Sequence, residues 1–280
     1  MTVEINGHTQ VIAHLGVPTG SFRAPMIYNP YFENVGINAV VVPMGCEPED
    51  FPIFMRHVAR LRNFAGALIT MPHKVEVVKL LGEASTAVRI CGACNAVRRD
   101  GEGRLVGEMF DGEGFVRGLG RKGRTAEGAS ALVIGAGGAG SAIAASLAGA
   151  GVSRIGLCDL RAPAVDALAA RIAAHYPDVE IVCGTRDPSG WDIVTNATPL
   201  GMNAGDPLPL DVDRIDPSTF VGEVVLTVEE TPFLAACRAR GCTTQVGTDM
   251  LFEQIPAYLE FFGFPTTTPQ DLRRLARLVA

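Results

Sequence analysis

Residues 131–160 read ALVIGAGGAGSAIAASLAGAGVSRIGLCDL. An apolar, strand-length run leads into Gly135, Gly137 and Gly140. A helix-forming stretch follows, and a second apolar run ends in Asp159. Glycines at that spacing serve a tight turn, a backbone open to a ligand, and a helix packed close on a strand. The N–H groups that open the helix, and the positive end of its dipole, suit an anion such as a pyrophosphate. Asp159 lies nineteen residues after Gly140, where a carboxylate would meet a ribose hydroxyl. The unit predicts a dinucleotide site built on Gly135, Ala136, Gly137, Gly138, Ala139 and Asp159. A carboxylate there accepts hydrogen bonds from NAD and repels the 2′-phosphate of NADP, so NAD is the favoured cofactor and NADP the less favoured. Arg161, two residues on, is a nearby cation able to take a phosphate.

Similar alternation runs along the chain. TQVIAHLGVP has a strand-like centre, PMIYNPYFENVG predicts a helix opening at Pro25 with Pro30 inside it, and INAVVVPM is a β-branched strand. PEDFPIFMRHVARLRN predicts a helix, FAGALITMP a strand and HKVEVVKLL another helix. Residues 117–130, polar and rich in glycine, read as a linker or loop entering the dinucleotide unit. WDIVTNATPLGM, FVGEVVLTV and TTQVG supply further strands, and two amphipathic helices close the chain. Strands alternating with helices imply an α/β fold with a largely parallel sheet. Two domains are expected: residues 1–110 plus 247–280 for substrate and catalysis, and residues 111–246 as a Rossmann domain. The active-site cleft is expected between them.

The chain has 280 residues, 48% of them hydrophobic, enough for two sizeable cores. A net charge of −6 argues against non-specific nucleic-acid binding, which needs a basic footprint. The apolar runs are too short or too glycine-broken to span a membrane. The N-terminal segment lacks the basic and apolar regions of a secretory signal, which with seven scattered cysteines predicts a cytoplasmic protein with reduced thiols. Cys91 and Cys94 form a CxxC, but no second pair or histidine stands at zinc spacing, so no metal is expected. A homodimer is compatible with the sequence and not specified by it.

Five further segments carry a resemblance. GALITMPHK (66–74), GACNAV (92–97), GEMFDG (107–112), NATPLGM (196–202) and GTDMLFEQ (247–254) resemble, in the same order, motifs of the shikimate/quinate dehydrogenase family. The resemblance covers essentially the whole chain. It implies an oxidoreductase that interconverts a ring hydroxyl and a ketone on shikimate, quinate or a related small cyclic hydroxy or keto substrate. Lys74 is similar to the family's catalytic lysine and Asp111 to the aspartate paired with it. Thr70, Asn95 and Gln254 match substrate-contacting positions, and Asn196, Thr198 and Gly247 match positions near the nicotinamide half. The family's NADP-binding form carries Asn-Arg-Thr where this chain has Asp159-Leu160-Arg161, and a later Arg where it has Ala164, which again implies NAD.

The departures bear on the substrate. Where the family has S-x-S-P, with two serines that hold the substrate carboxylate, this chain has Phe22 and Ala24 at the serine positions. Leu226 replaces a tyrosine, Met109 and Phe110 replace an asparagine and a threonine, and Leu68 replaces an asparagine. Each missing charge-assisted bond to a carboxylate would cost about 1–3 kcal/mol. Ser21 or Arg23 could compensate. Two alternatives stay open: the same hydride chemistry on a less acidic or bulkier alcohol, and a non-catalytic NAD-responsive binding protein. A free lysine has a pKa of about 10.4, lowered by burial and raised by a neighbouring carboxylate, so Lys74 would act as proton acceptor or donor with Asp111 supplying orientation and charge balance. His73 beside Lys74 invites a general-base reading, but adjacent side chains point apart. His8, His14, His57 and His175 show no ligand spacing and read as structural or exposed. Trp191, Phe252, Tyr258, Phe261 and Phe262 read as packing residues.

Overall fold

The computed structural model describes residues 4–278. Residues 1–3 and 279–280, which begin the expected first domain and end the expected last helix, lie outside the described residues. The chain divides into two units, Met1–Met109 with Ile255–Ala280, and Phe110–Gln254. The fold is α/β, with one six-stranded sheet per unit.

The first unit runs β1 (Gln10–Gly16), α1 (Pro25–Val35), β2 (Ala39–Gly45), α2 (Phe51–Val58), β3 (Phe64–Ile69), β4 (Glu83–Ala84), α3 (Thr86–Cys91), β5 (Ala96–Arg99) and β6 (Leu105–Glu108). Its sheet order is β2-β1-β3-β5-β6-β4. β1 pairs parallel with β2 and β3, whereas β5 lies antiparallel between β3 and β6. The sheet is therefore mixed. The predicted helix at 73–81 is instead a turn followed by a short 3-10 segment, Glu76–Leu80. Three valines crowd positions 75, 77 and 78, and β-branched side chains disfavour a helical turn that Pro72 already delays. Pro30 does sit inside α1. Proline donates no hydrogen bond, and the Met26 carbonyl it would have served accepts from Arg277 N at 2.8 Å.

The second unit runs α4 (Asp111–Arg121), β7 (Ser130–Ile134), α5 (Gly138–Gly149), β8 (Arg154–Cys158), α6 (Ala162–His175), β9 (Glu180–Cys183), β10 (Ile193–Asn196), β11 (Phe220–Glu223), α7 (Pro232–Ala239) and β12 (Thr243–Gln245). α8 (Gly247–Phe262) begins in this unit and ends in the first, followed there by α9 (Pro269–Leu275). The sheet is parallel throughout, in the order β12-β11-β10-β7-β8-β9. From β7 the chain winds one way through β8 and β9, then returns to β10 and winds the other way. In a doubly wound sheet of this kind, ligands bind beyond the carboxyl ends of the strands at the switch point, here β7 and β10.

The segment 117–130, expected as a linker or loop, is corrected in its first five residues: 117–121 complete α4, and 122–129 are the loop. A Cβ on Gly112 would overlap the Ala142 carbonyl of α5, and one on Gly118 would lie 2.5 Å from Gln245 Oε1. At Gly112 α4 thus approaches α5 too closely for a side chain, and at Gly118 it packs on Gln245 of β12. α5, AGSAIAAS at its heart, is buried on nearly all sides, which suits its small residues.

Candidate active site

The glycine turn lies at the switch point of the second unit. Gly135 closes β7 with φ +105°, a left-handed conformation that suits glycine, and its N–H donates to Cys158 O. A Cβ there would lie 2.7 Å from Ala197 O, and a Cβ on Gly140 would overlap the Gly135 carbonyl. Around Gly137 and Gly138, by contrast, nothing lies within 4 Å of an added Cβ. Gly137 caps α5 without a side-chain bond, so the first turn of that helix faces open space with its dipole. The arrangement fits a pyrophosphate.

Beside the turn, the loop after β10 is held by its own side chains. Asn196 is fully buried. Its Oδ1 accepts from Thr198 N (3.1 Å) and Thr198 Oγ1 (2.6 Å), and its Nδ2 donates to Leu200 O (3.0 Å). Asn196 and Thr198 therefore shape the loop that packs on the glycine turn. Gly247 serves close packing, since a Cβ there would overlap Val225 O. Glu223, at the end of β11 and paired in register with Asn196, is fully buried. Burial pushes its carboxyl up to about 7, against the hydrogen bond that Thr231 Oγ1 donates to Oε2 at 2.7 Å. Its Oε1 has no partner. Sequence reasoning missed Glu223 because it lies in a run, FVGEVVLTV, that reads simply as strand.

Asp159 is engaged by its own chain. Oδ2 accepts from Ala136 N (2.8 Å), and Oδ1 accepts from Arg161 N (2.9 Å) and Arg161 Nε (3.3 Å). Burial pushes its carboxyl up, but those donors outweigh it and hold the group below the usual carboxylate range. The Arg161 side chain is 68% exposed. The Arg186 guanidinium donates to Pro209 O at 2.8 Å. Asp111 opens α4 in the second unit, where a carboxylate suits the helix dipole. Gln254 is buried there with an unpartnered Oε1, and its Cβ lies 2.8 Å from a Cβ built on Gly114.

In the first unit, the ends of β1 and β3 carry the substrate candidates. Thr70 N donates to Leu15 O (2.9 Å), and a Cβ on Gly16 would crowd Thr70, the Met71 carbonyl and Phe22. Lys74 follows in the turn, half-buried, with its carbonyl accepting from Cys94 N (2.8 Å). Asn95 is buried, its backbone tying Ile69 to Glu108. Ala24 caps α1 through its carbonyl, and Phe22 lies half-buried with its ring 4.0 Å from that of His14. His73 is turned into the core. It is stacked on Phe51 at 4.1 Å, with Nε2 2.8 Å from Cys46 O, which leaves it no part in proton transfer. The thiol of Cys94 is bonded to Ala96 O, and burial pushes it up to about 12, so it is no ready thiolate. Among the described residues there is no metal-holding cluster of His, Cys, Asp and Glu, and no helix is long and apolar enough to cross a membrane.

Fold and site together give an α/β protein with a glycine turn at the switch point of one unit and a half-buried lysine in the turn after β3 of the other. Comparison with known proteins agrees. The family model described as the shikimate dehydrogenase substrate binding domain matches residues 15–97. The shikimate dehydrogenase (NADP(+)) of Acidiphilium cryptum is 33% identical over 273 residues, 96% of each chain. The solved structure of shikimate 5-dehydrogenase from Listeria monocytogenes, in complex with shikimate and NAD, is 25% identical with a TM-score of 0.91, covering 98% of this chain and 99% of that one. The ligand-free 5-ketofructose reductase of a Gluconobacter strain, also 25% identical, gives a TM-score of 0.89 over 96% of this chain and 98% of that one. The chain belongs to the shikimate dehydrogenase family, and it is an oxidoreductase of that type.

The expectation that NAD is the favoured cofactor is overturned. Eight curated relatives, 30% to 35% identical, all carry the name shikimate dehydrogenase (NADP(+)). The physical reason lies in Asp159. Read from sequence, it was an unoccupied acceptor for a ribose. In the structure three donors of its own chain occupy it, and one of them is a guanidinium that offsets its charge.

Proposed function

We propose that this protein interconverts a ring hydroxyl and a ketone on shikimate or a close relative, with NADP(H) as the dinucleotide. The observation that carries the reading is the glycine turn at Gly135–Gly140 beside Asp159 and Arg161, in a chain whose curated relatives are named for NADP(+) and shikimate. The first turn of α5 would hold the pyrophosphate, and Arg161 the 2′-phosphate. When bound, the dinucleotide accepts or supplies the hydride.

The chain's own residues do the rest. Lys74 exchanges the proton of the reacting oxygen, taking it from the alcohol on oxidation and returning it to the carbonyl on reduction. Thr70 and Asn95 orient the ring.

A second reading is favoured by Phe22 and Ala24, which offer no hydroxyl to a carboxylate, and by the likeness to a ketose reductase. In that reading the chemistry is unchanged and the substrate is a neutral polyol or keto sugar. NADPH formation at 340 nm, followed with shikimate, quinate and neutral polyols, separates the two. Turnover of shikimate at the highest kcat/KM supports the first reading. Turnover of neutral polyols alone would replace it with the second.

A further inference from the structure

β1 contains one histidine in a run that is otherwise apolar, VIAHLG. Its neighbours Ile12, Ala13 and Leu15 are fully buried. His14 keeps 8% of its surface, and the Phe22 ring lies over it, centroids 4.0 Å apart and planes inclined by 25°. Nδ1 is buried with no partner. An orphaned buried N–H is rarer than an orphaned acceptor, so the proton belongs on Nε2. With Nδ1 sealed off, Nε2 is the ring nitrogen left to meet a ligand. Burial and the charge of Lys74 push the imidazole down to about 4, so near neutral pH it is an uncharged donor. That the Lys74 charge is felt at His14 places this donor in the same neighbourhood as the proposed proton-transfer group. Thr70 and Phe22 crowd the same glycine, Gly16, two residues further along β1.

We infer that His14 is a substrate-binding residue whose Nε2–H donates a hydrogen bond to an oxygen of the substrate, with Phe22 holding the imidazole in plane. The inference deepens the proposed function and rests on it. It assigns to β1 a polar contact that replaces what Phe22 and Ala24 cannot provide. It also favours an acceptor-bearing substrate such as a carboxylate over a cationic one.

The test is steady-state turnover of shikimate with NADP, together with calorimetric binding of shikimate, for three chains: wild type, His14→Leu and His14→Gln. Glutamine carries an amide N–H at about the reach of Nε2. His14→Leu is expected to raise KM and the shikimate Kd roughly 10- to 100-fold with kcat nearly unchanged, and His14→Gln to restore most of the loss. NADP affinity and Tm report whether each variant is folded. Wild-type KM in His14→Leu would overturn the inference alone, since the wild-type reaction would still stand. So would equal impairment in His14→Gln, which would mean that the ring acts only by packing. A wild-type chain that neither turns over nor binds shikimate would overturn the functional reading and the inference with it.

Discussion

Asp159 carries the lesson at the scale of the residue. Its position after β8 is what a dinucleotide fingerprint demands, and the fingerprint was legible in the sequence. What the carboxylate does was not, because hydrogen bonds from Ala136 and Arg161 depend on how the turn folds back. His14 was illegible for a similar reason. Nothing in its spacing marks it, and only the Phe22 stack and the sealed Nδ1 give it a role. His73 makes the opposite point, being prominent in sequence beside Lys74 yet held by Phe51 and Cys46 in the core. If Arg161 binds the 2′-phosphate, Arg161→Ala should weaken NADP about 5- to 30-fold and NAD far less, since a charge-assisted bond is worth about 1–2 kcal/mol at an exposed site. Fluorescence titration with NADPH and NADH measures both. Equal weakening of the two would mean that Arg161 acts on the turn rather than on the phosphate.

At the scale of the element, α4 decides between two opposing effects. Glycine within a helix costs roughly 1 kcal/mol relative to alanine, so Gly→Ala should stabilise wherever there is room. Gly120 has nothing within 4 Å of a built Cβ, whereas Gly112 meets the α5 backbone. Gly120→Ala is therefore expected to raise stability by up to about 1 kcal/mol, and Gly112→Ala to lower it by about 2–4 kcal/mol, as overpacking against backbone cannot relax cheaply. Urea denaturation of the two variants reads both signs. A stabilising Gly112→Ala would show that α4 can move away from α5. The polar, glycine-rich composition of 117–130 predicts a linker or loop, because glycine punctuates loops far more often than it marks tight helix packing, and that hides the last five residues of α4. The pattern predicts α1 through Pro30, but the remedy for its missing donor comes from Arg277, at the far end of the chain, which no local pattern reveals.

For the molecule as a whole, the parallel sheet of the second unit followed from repeated strand–helix alternation. The antiparallel insertion of β5 between β3 and β6 did not, because residues 82–106 have no strong period and their pairing is set across the sheet. The order of the motifs made the family legible, and the relatives bear it out. The cofactor expectation fails because the bonds that Ala136 and Arg161 give Asp159 exist only once the turn is folded. The central claim is that Lys74 carries the proton in an NADP-linked oxidation of shikimate. The most direct test compares wild type with Lys74→Ala, measuring NADPH formation from shikimate alongside NADP affinity. The account predicts kcat lower by roughly 10²–10⁴-fold with NADP binding nearly unchanged. Full turnover in Lys74→Ala, or a parallel collapse of NADP affinity, would contradict it.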